Sequence, residues 1–378
     1  MMINRSQISQ NTPQITHTEM PWYVSSLMLL SGLISGFFLI SIFSILLAGM
    51  LHSFGILISF AIAMTAISFW LFRYSDRITL HHIQIFISSL GFSIGMAGLV
   101  YWFLSINELL LTASQTAGIL LLIQILLTLI MPNFIYRLIS SLLGIGCLLF
   151  LLYQYHALEV SLGLLALFAS ICSLQSDELI SYLPNKYQPY AKRLNHVLTY
   201  AITFALLTIS AYFIVSEQTL YALYGFDDVN PFAQTLVKQG LLIVASLYAS
   251  WLILRRYGIS LLSHTGLLIS TAVIIIGLLS LYVSGLLATC LVIVMAFANK
   301  QRVLLGLAIF ALVSYIFWYY YQLDSSLLVK SGSMLIIGLA LLLLRWYLLR
   351  RYVLHQYLPL HHTANTHLTT KKNKGKQQ

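Results

Sequence analysis

Asp324 and Lys330 are the two residues whose types and spacing come closest to a working site. They share the stretch from Trp318 to Ser333, WYYYQLDSSLLVKSGS, which joins two apolar runs. Asp324 sits in the connection, where its carboxylate suits the free backbone N–H groups that open the next helix. Lys330 follows six residues later, about 9 Å deeper at the rise of an α-helix. An ammonium at that depth snorkels back to the headgroups, meets a carboxylate, or contacts a ligand or partner. Tyr319, Tyr320 and Tyr321 stand just before the pair, where an aromatic belt belongs and where ring faces would further stabilise a cation. These five residues form the candidate contact for a partner or ligand.

Other chemistries find little support. The histidine pairs His81 with His82 and His361 with His362 are adjacent in sequence, so neither pair shares a helix face, and no metal centre is expected. Cys147, Cys172 and Cys290 all fall inside apolar segments without a C-x-x-C spacing and read as packing residues. There is no G-x-S-x-G, H-E-x-x-H or phosphate-binding loop motif, and no cofactor is expected. No Asp or Glu lies near the middle of an apolar run, where a proton-coupled carrier needs an ionisable relay. A transferase acting on lipid-linked substrates would have to draw its acidic and imidazole groups from Glu159, Asp324 and His156.

The elements that position these residues are helices in a membrane. A content of 59% hydrophobic and 8% charged residues, with a mean hydropathy of +0.88, excludes an ordinary soluble domain. Apolar runs fall at roughly 24–51, 54–72, 83–106, 109–131, 138–152, 160–174, 197–215, 240–254, 262–283, 285–298, 303–321 and 326–349. They predict an all-α bundle of about twelve spans over 22–353, between a disordered tail at 1–21 and a basic tail at 354–378. The run 285–298 is short for a full crossing. The first run is too long for a signal-peptide core and has no small-residue cleavage site after it, so it is expected to stay.

The net charge of +10 invites a nucleic-acid reading, but its distribution argues for a membrane. With both termini cytoplasmic, the alternation of spans puts every Lys and Arg except Lys238 and Lys330 on the inner side. No nucleic acid is needed, and the natural neighbour is the lipid bilayer. The inner loop 175–196, with Pro184, Pro189 and three tyrosines, reads as an interfacial segment. The outer loop 216–239 carries aromatics and the pair Asp227 and Asp228.

Two features concern packing. Gly32 with Gly36, and Gly91 with Gly95, make small-xxx-small faces for close helix contact, and Gln124 with Thr128 makes a polar stripe suited to interhelical hydrogen bonding. A parallel repeat of six plus six spans is suggested by WLFRY (Trp70 to Tyr74) against WLILRRY (Trp251 to Tyr257). YQYHALEVSL before the sixth span likewise matches YYYQLDSSL before the twelfth. Glu159 then pairs with Asp324, and Lys330 has no counterpart in the first half.

The block from Ser284 to Arg351, with SGLL, NKQRVLLGL, WYYYQLDSSLLVKSG and LLLLRWYLLRR, resembles a bacterial membrane family catalogued as a domain of unknown function, number 4401. The opening PWYVSSLMLLSG is similar to that family's start. Where its members have Pro-Gly before the tenth span, this chain has Ser284 and Gly285. The resemblance implies a membrane-anchored partner carrying a GDYXXLXY motif, and no established reaction. The resulting expectation is a non-enzymatic, multi-pass component of the bacterial inner membrane that meets its partner at the outer end of the last two spans. The alternative is a permease or flippase for an anionic small molecule or lipid, with Lys330 as the anion contact.

Overall fold

A computed structural model describes residues 22–46, 53–78, 80–224, 231–256, 258, 260, 263–280, 285–322 and 342. Helices dominate, with no strand among the described residues. They run α1 (Trp22–Leu46), α2 (Phe54–Ser75), α3 (His81–Asn107), α4 (Ala113–Ile130), α5 (Phe134–Gln154), α6 (Val160–Leu174) and the short α7 (Ser176–Ser181). Then follow α8 (Gln188–Tyr224), α9 (Pro231–Arg256), α10 (His264–Leu279), α11 (Leu286–Ala298) and α12 (Arg302–Gln322). The chain divides into two compact units at Leu312 and Val313. The packing described here belongs to the first; the described part of the second is the end of α12 and residue 342.

Among the described residues, six helices are long and apolar enough to cross a membrane: α2, α3 from Ile83, α4, α5, α8 as far as Ile214, and α9 from Leu236. Shorter apolar stretches lie in α1, α6, α10, α11 and α12, of which Leu286–Ala298 spans 13 residues. Eleven of the apolar runs in the sequence thus coincide with helices. The run 326–349 apart from residue 342, both tails, Asp324 and Lys330 lie outside the described residues.

The two long loops differ from their expectation. Most of 175–196 is helical, because α7 occupies its start and α8 already begins at Gln188. In 216–239 the chain is helical up to Tyr224 and again from Pro231. Polar and aromatic residues lower the hydropathy there, but they do not break a helix, so α8 and α9 outrun their apolar cores.

Local chemistry sets the ends. Pro132 cannot continue α4, and Asn133 caps α5, its Oδ1 accepting from the backbone N–H of Ile135 (2.9 Å) and Tyr136 (3.2 Å). At the start of α4 the N–H of Thr112 donates to Gln115 Oε1, the reach-back half of a capping box. Helices α5 and α11 close with a left-handed residue, His156 (φ 53°) and Lys300 (φ 56°). In each case the very next residue bonds back across the last turn, as Gln301 N–H does to Ala296 O at 2.9 Å.

Small residues then decide which helices meet. A Cβ on Gly32 or Gly36 would run into Ser89 or Ser93, so α1 lies parallel to α3 with its backbone against them. One on Gly91 would come within 3.1 Å of Leu71, and one on Gly95 within 2.5 Å of the Tyr136 ring and 2.6 Å of Ser68 Oγ. Both glycine pairs therefore pack as their spacing predicts. A second core joins α6, α8, α9 and α11 through Ala166, Ala169, Leu206, Ala245, Val292 and Met295, each essentially sealed. Gly163 in α6 touches the backbone of Leu241 in α9, a contact the sequence reading did not single out.

Candidate functional site

Two polar regions lie among these helices at the same end of the first unit. That end collects the C-termini of α2, α4, α6, α9 and α11 with the N-termini of α3, α5, α8 and α12. The links are short: Ser75 Oγ donates to Gln84 O (2.9 Å), Asn133 Nδ2 to Ser88 Oγ (3.2 Å), Asn195 Nδ2 to Cys172 O (2.7 Å), and Asn299 Nδ2 to Ser173 O (2.9 Å). Arg73, Arg77, Arg137, Lys192, Arg193, Arg255, Arg256, Lys300 and Arg302 all fall there.

The first region is a seam between α4 and α5. Ser140 Oγ donates to Gln124 Oε1 (2.7 Å), Thr128 Oγ1 to Gln124 O (2.8 Å), and Ser141 Oγ to Arg137 O (2.7 Å). The Gln124 and Thr128 stripe thus serves interhelical hydrogen bonding, beside a cavity of about 290 Å³ that Leu194 and Leu198 of α8 also line. Replacing Gln124 with leucine and Ser140 with alanine, singly and together, should show a coupling of about 0.6 kcal/mol in a thermal double-mutant cycle. Additive effects would mean that the pair contributes nothing together.

Arg137 closes this seam. Its side chain is 5% exposed, its Nε donates to Met131 O, its Nη2 reaches Leu129 O at 3.5 Å, and its guanidinium lies 4.9 Å from the Tyr190 ring. Tyr190 OH donates to the same Leu129 carbonyl. The arginine therefore caps the C-terminus of α4 and ties the α4–α5 turn to the start of α8. Sequence reasoning counted it only as a loop charge. The signal available was its place four residues after the Asn133 cap, which puts it inside a helix.

The second region is a cleft of about 430 Å³ at the ends of α6, α8, α9 and α11. Lys192, His196, Arg256 and Lys300 line it and are exposed, above a floor that includes Asn195 and Asn299. Arg256 Nη1 donates to Asn299 Oδ1 at 3.3 Å, and the amide oxygen of Gln301, also lining the cleft, is buried without a donor. His196 packs against Tyr200 and Phe134, with ring centroids 4.9 and 5.9 Å away. A concave, multiply basic, amide-lined surface is suited to anions.

Tyr319, Tyr320 and Tyr321 fall in the last turns of α12, and Asp324 and Lys330 are outside the described residues. Glu159 precedes α6 without a side-chain capping bond, and His156 occupies the left-handed turn before it. Among the described residues no three His, Cys, Asp or Glu side chains converge as a metal site would require. Lys238, the other charge that departs from the alternation, is 4% exposed with its ammonium 4.6 Å from the Phe213 ring. A cation–π contact to a neighbouring helix thus holds it in an apolar setting.

The family model described as Domain of unknown function (DUF4401) matches residues 21–351, which covers the whole helical region. The chain belongs to that family. No curated protein and no solved structure matches the chain. As a DUF4401 protein it is thus placed by its helices and its family, and the two polar regions of its basic end are what the fold adds.

Proposed function

We propose that this DUF4401 chain is a twelve-crossing component of the bacterial inner membrane, with both termini in the cytoplasm. In this reading it is non-enzymatic and assembles with a GDYXXLXY-type membrane protein through Lys330, Asp324 and Tyr319 to Tyr321. The observation that carries the topology is directional. Among the described helices, odd and even apolar runs oppose one another in α2 with α3 and α4 with α5, and like runs are parallel in α1 with α3 and α6 with α11. The basic residues gather at one end of this alternation, and the positive-inside rule takes that end for the cytoplasmic one.

The family resemblance supplies the partner. A parallel repeat draws support from one shared detail, an arginine stacked 5.6 Å from the aromatic ring four residues before it: Arg73 on Phe69 and Arg255 on Trp251. The basic cleft favours a second reading, a permease or flippase for an anionic small molecule or lipid.

Two measurements test the first reading. In a cysteine-free background, Lys186→Cys should react with an impermeant maleimide only after the cells are opened, and Asp228→Cys should react in intact cells. The reverse pattern would overturn the topology. Co-purification with the GDYXXLXY protein in mild detergent should fall severalfold on Lys330→Met; unchanged recovery removes Lys330 from the interface.

A further inference from the structure

We propose that the cleft between the ends of α6, α8, α9 and α11 is a binding site for a phosphate group. Lys192 on α8, Arg256 on α9 and Lys300 after α11 bring three fixed cations to its wall, with His196 beside them. Such a set suits phosphate, which ammonium groups attract as point charges and guanidinium groups grip through parallel donors. The volume of about 430 Å³ lies within the range of small-molecule sites.

Helix capping does not use up these cations. Neutral amides already take the last carbonyls of α6, Asn195 at Cys172 O and Asn299 at Ser173 O. Among the described residues, Arg256 donates to Asn299 Oδ1 alone, and the ammonium groups of Lys192 and Lys300 make no hydrogen bond or ion pair. The free N–H groups that open α12 begin right after Gln301, which adds positive potential at the same place.

Lys300 supplies an independent pointer. Its backbone is left-handed at φ 56°, in a helix-closing turn where glycine fits without strain. A lysine stands there against local conformational preference, and it lines the cleft. Beta-carbon strain and ligand attraction therefore pull in opposite directions at one residue.

The phosphate can come from a lipid headgroup or from a free phosphate, and the test separates them. The full chain is placed in phosphatidylcholine nanodiscs and its thermal midpoint followed with inorganic phosphate at constant ionic strength. A second arm replaces about a tenth of the lipid with phosphatidic acid. Saturable stabilisation in either arm is expected, and the arm that responds names the source. The double variant Lys192→Gln with Lys300→Gly should weaken it about tenfold, as loss of two charge-assisted contacts implies.

Lys300→Gly alone should raise the midpoint without ligand while lowering the response, which no folding defect does. Lys192→Gln leaves that turn untouched and should also lower the response. The control Arg73→Gln with Arg77→Gln makes the same charge change away from the cleft and should respond like wild type. No stabilisation in either arm, or an equal loss in the control, overturns the proposal. Phosphate binding and partner recovery are separate readouts, so this site and the assembly reading can fail independently.

Discussion

Replacing Arg137 with methionine is expected to lower the stability of the purified protein by roughly 3 kcal/mol, read as a fall of several degrees in its thermal midpoint in mild detergent. Methionine keeps an apolar stem in the same space, so the change isolates the guanidinium. The carbonyls of Met131 and Leu129 lose its donors, and the Tyr190 ring loses its cation. An unmet buried carbonyl costs about 1–3 kcal/mol, and the cation–π contact adds about 1 kcal/mol. Releasing a buried guanidinium recovers part of this, which is why the total does not reach the full sum.

Tyr190→Phe gives the graded comparison. It keeps a ring beneath Arg137 and removes only the hydroxyl that donates to Leu129 O, so a loss of about 1 kcal/mol is expected. An Arg137→Met protein that melts with the wild type would show that the α4–α5 turn is held by something other than this side chain.

Gly163→Val should cost about 2–3 kcal/mol or prevent accumulation of the folded protein. A Cβ at this position would lie 2.5 Å from the Leu241 Cβ and 3.1 Å from its carbonyl carbon. Backbone cannot swing aside as a flexible side chain can, so α6 and α9 would have to separate. Separation would open the core around Ala166, Ala169, Ala245 and Ala249. Gly118, where an added Cβ meets nothing within 4 Å, is the comparison, and Gly118→Ala should leave the midpoint unchanged or slightly higher. Equal behaviour of Gly163→Val and wild type would refute the close α6–α9 contact.

Much of the fold was legible in the sequence because apolar helices announce themselves locally. Runs of apolar residues fix where helices form, and the small residues Gly32, Gly36, Gly91 and Gly95 mark faces that approach closely. Gly163 escaped notice because its small partners Ala166 and Ala169 follow a spacing of three, and because its contact is backbone on another helix. Helix ends were less legible, as α8 shows: hydropathy reports where lipid is tolerated, and hydrogen bonding decides where the helix stops.

The candidate site was least legible. From sequence, Asp324, Lys330 and the three tyrosines stood out because charge is rare in an apolar setting; Asp324 and Lys330 lie outside the described residues, and the tyrosines end α12. Lys192, Arg256 and Lys300 looked alike in sequence, as ordinary basic residues of separate loops. What the sequence by itself determined is the class of molecule, its family, and which end of each helix carries positive charge, because composition and alternation act along the chain. Only the tertiary structure decided that Arg137 and Lys238 are buried on aromatic rings, and that three scattered cations share one cleft. Those facts depend on which helices are neighbours, and neighbours are chosen by shape and polar pairing between segments far apart in sequence.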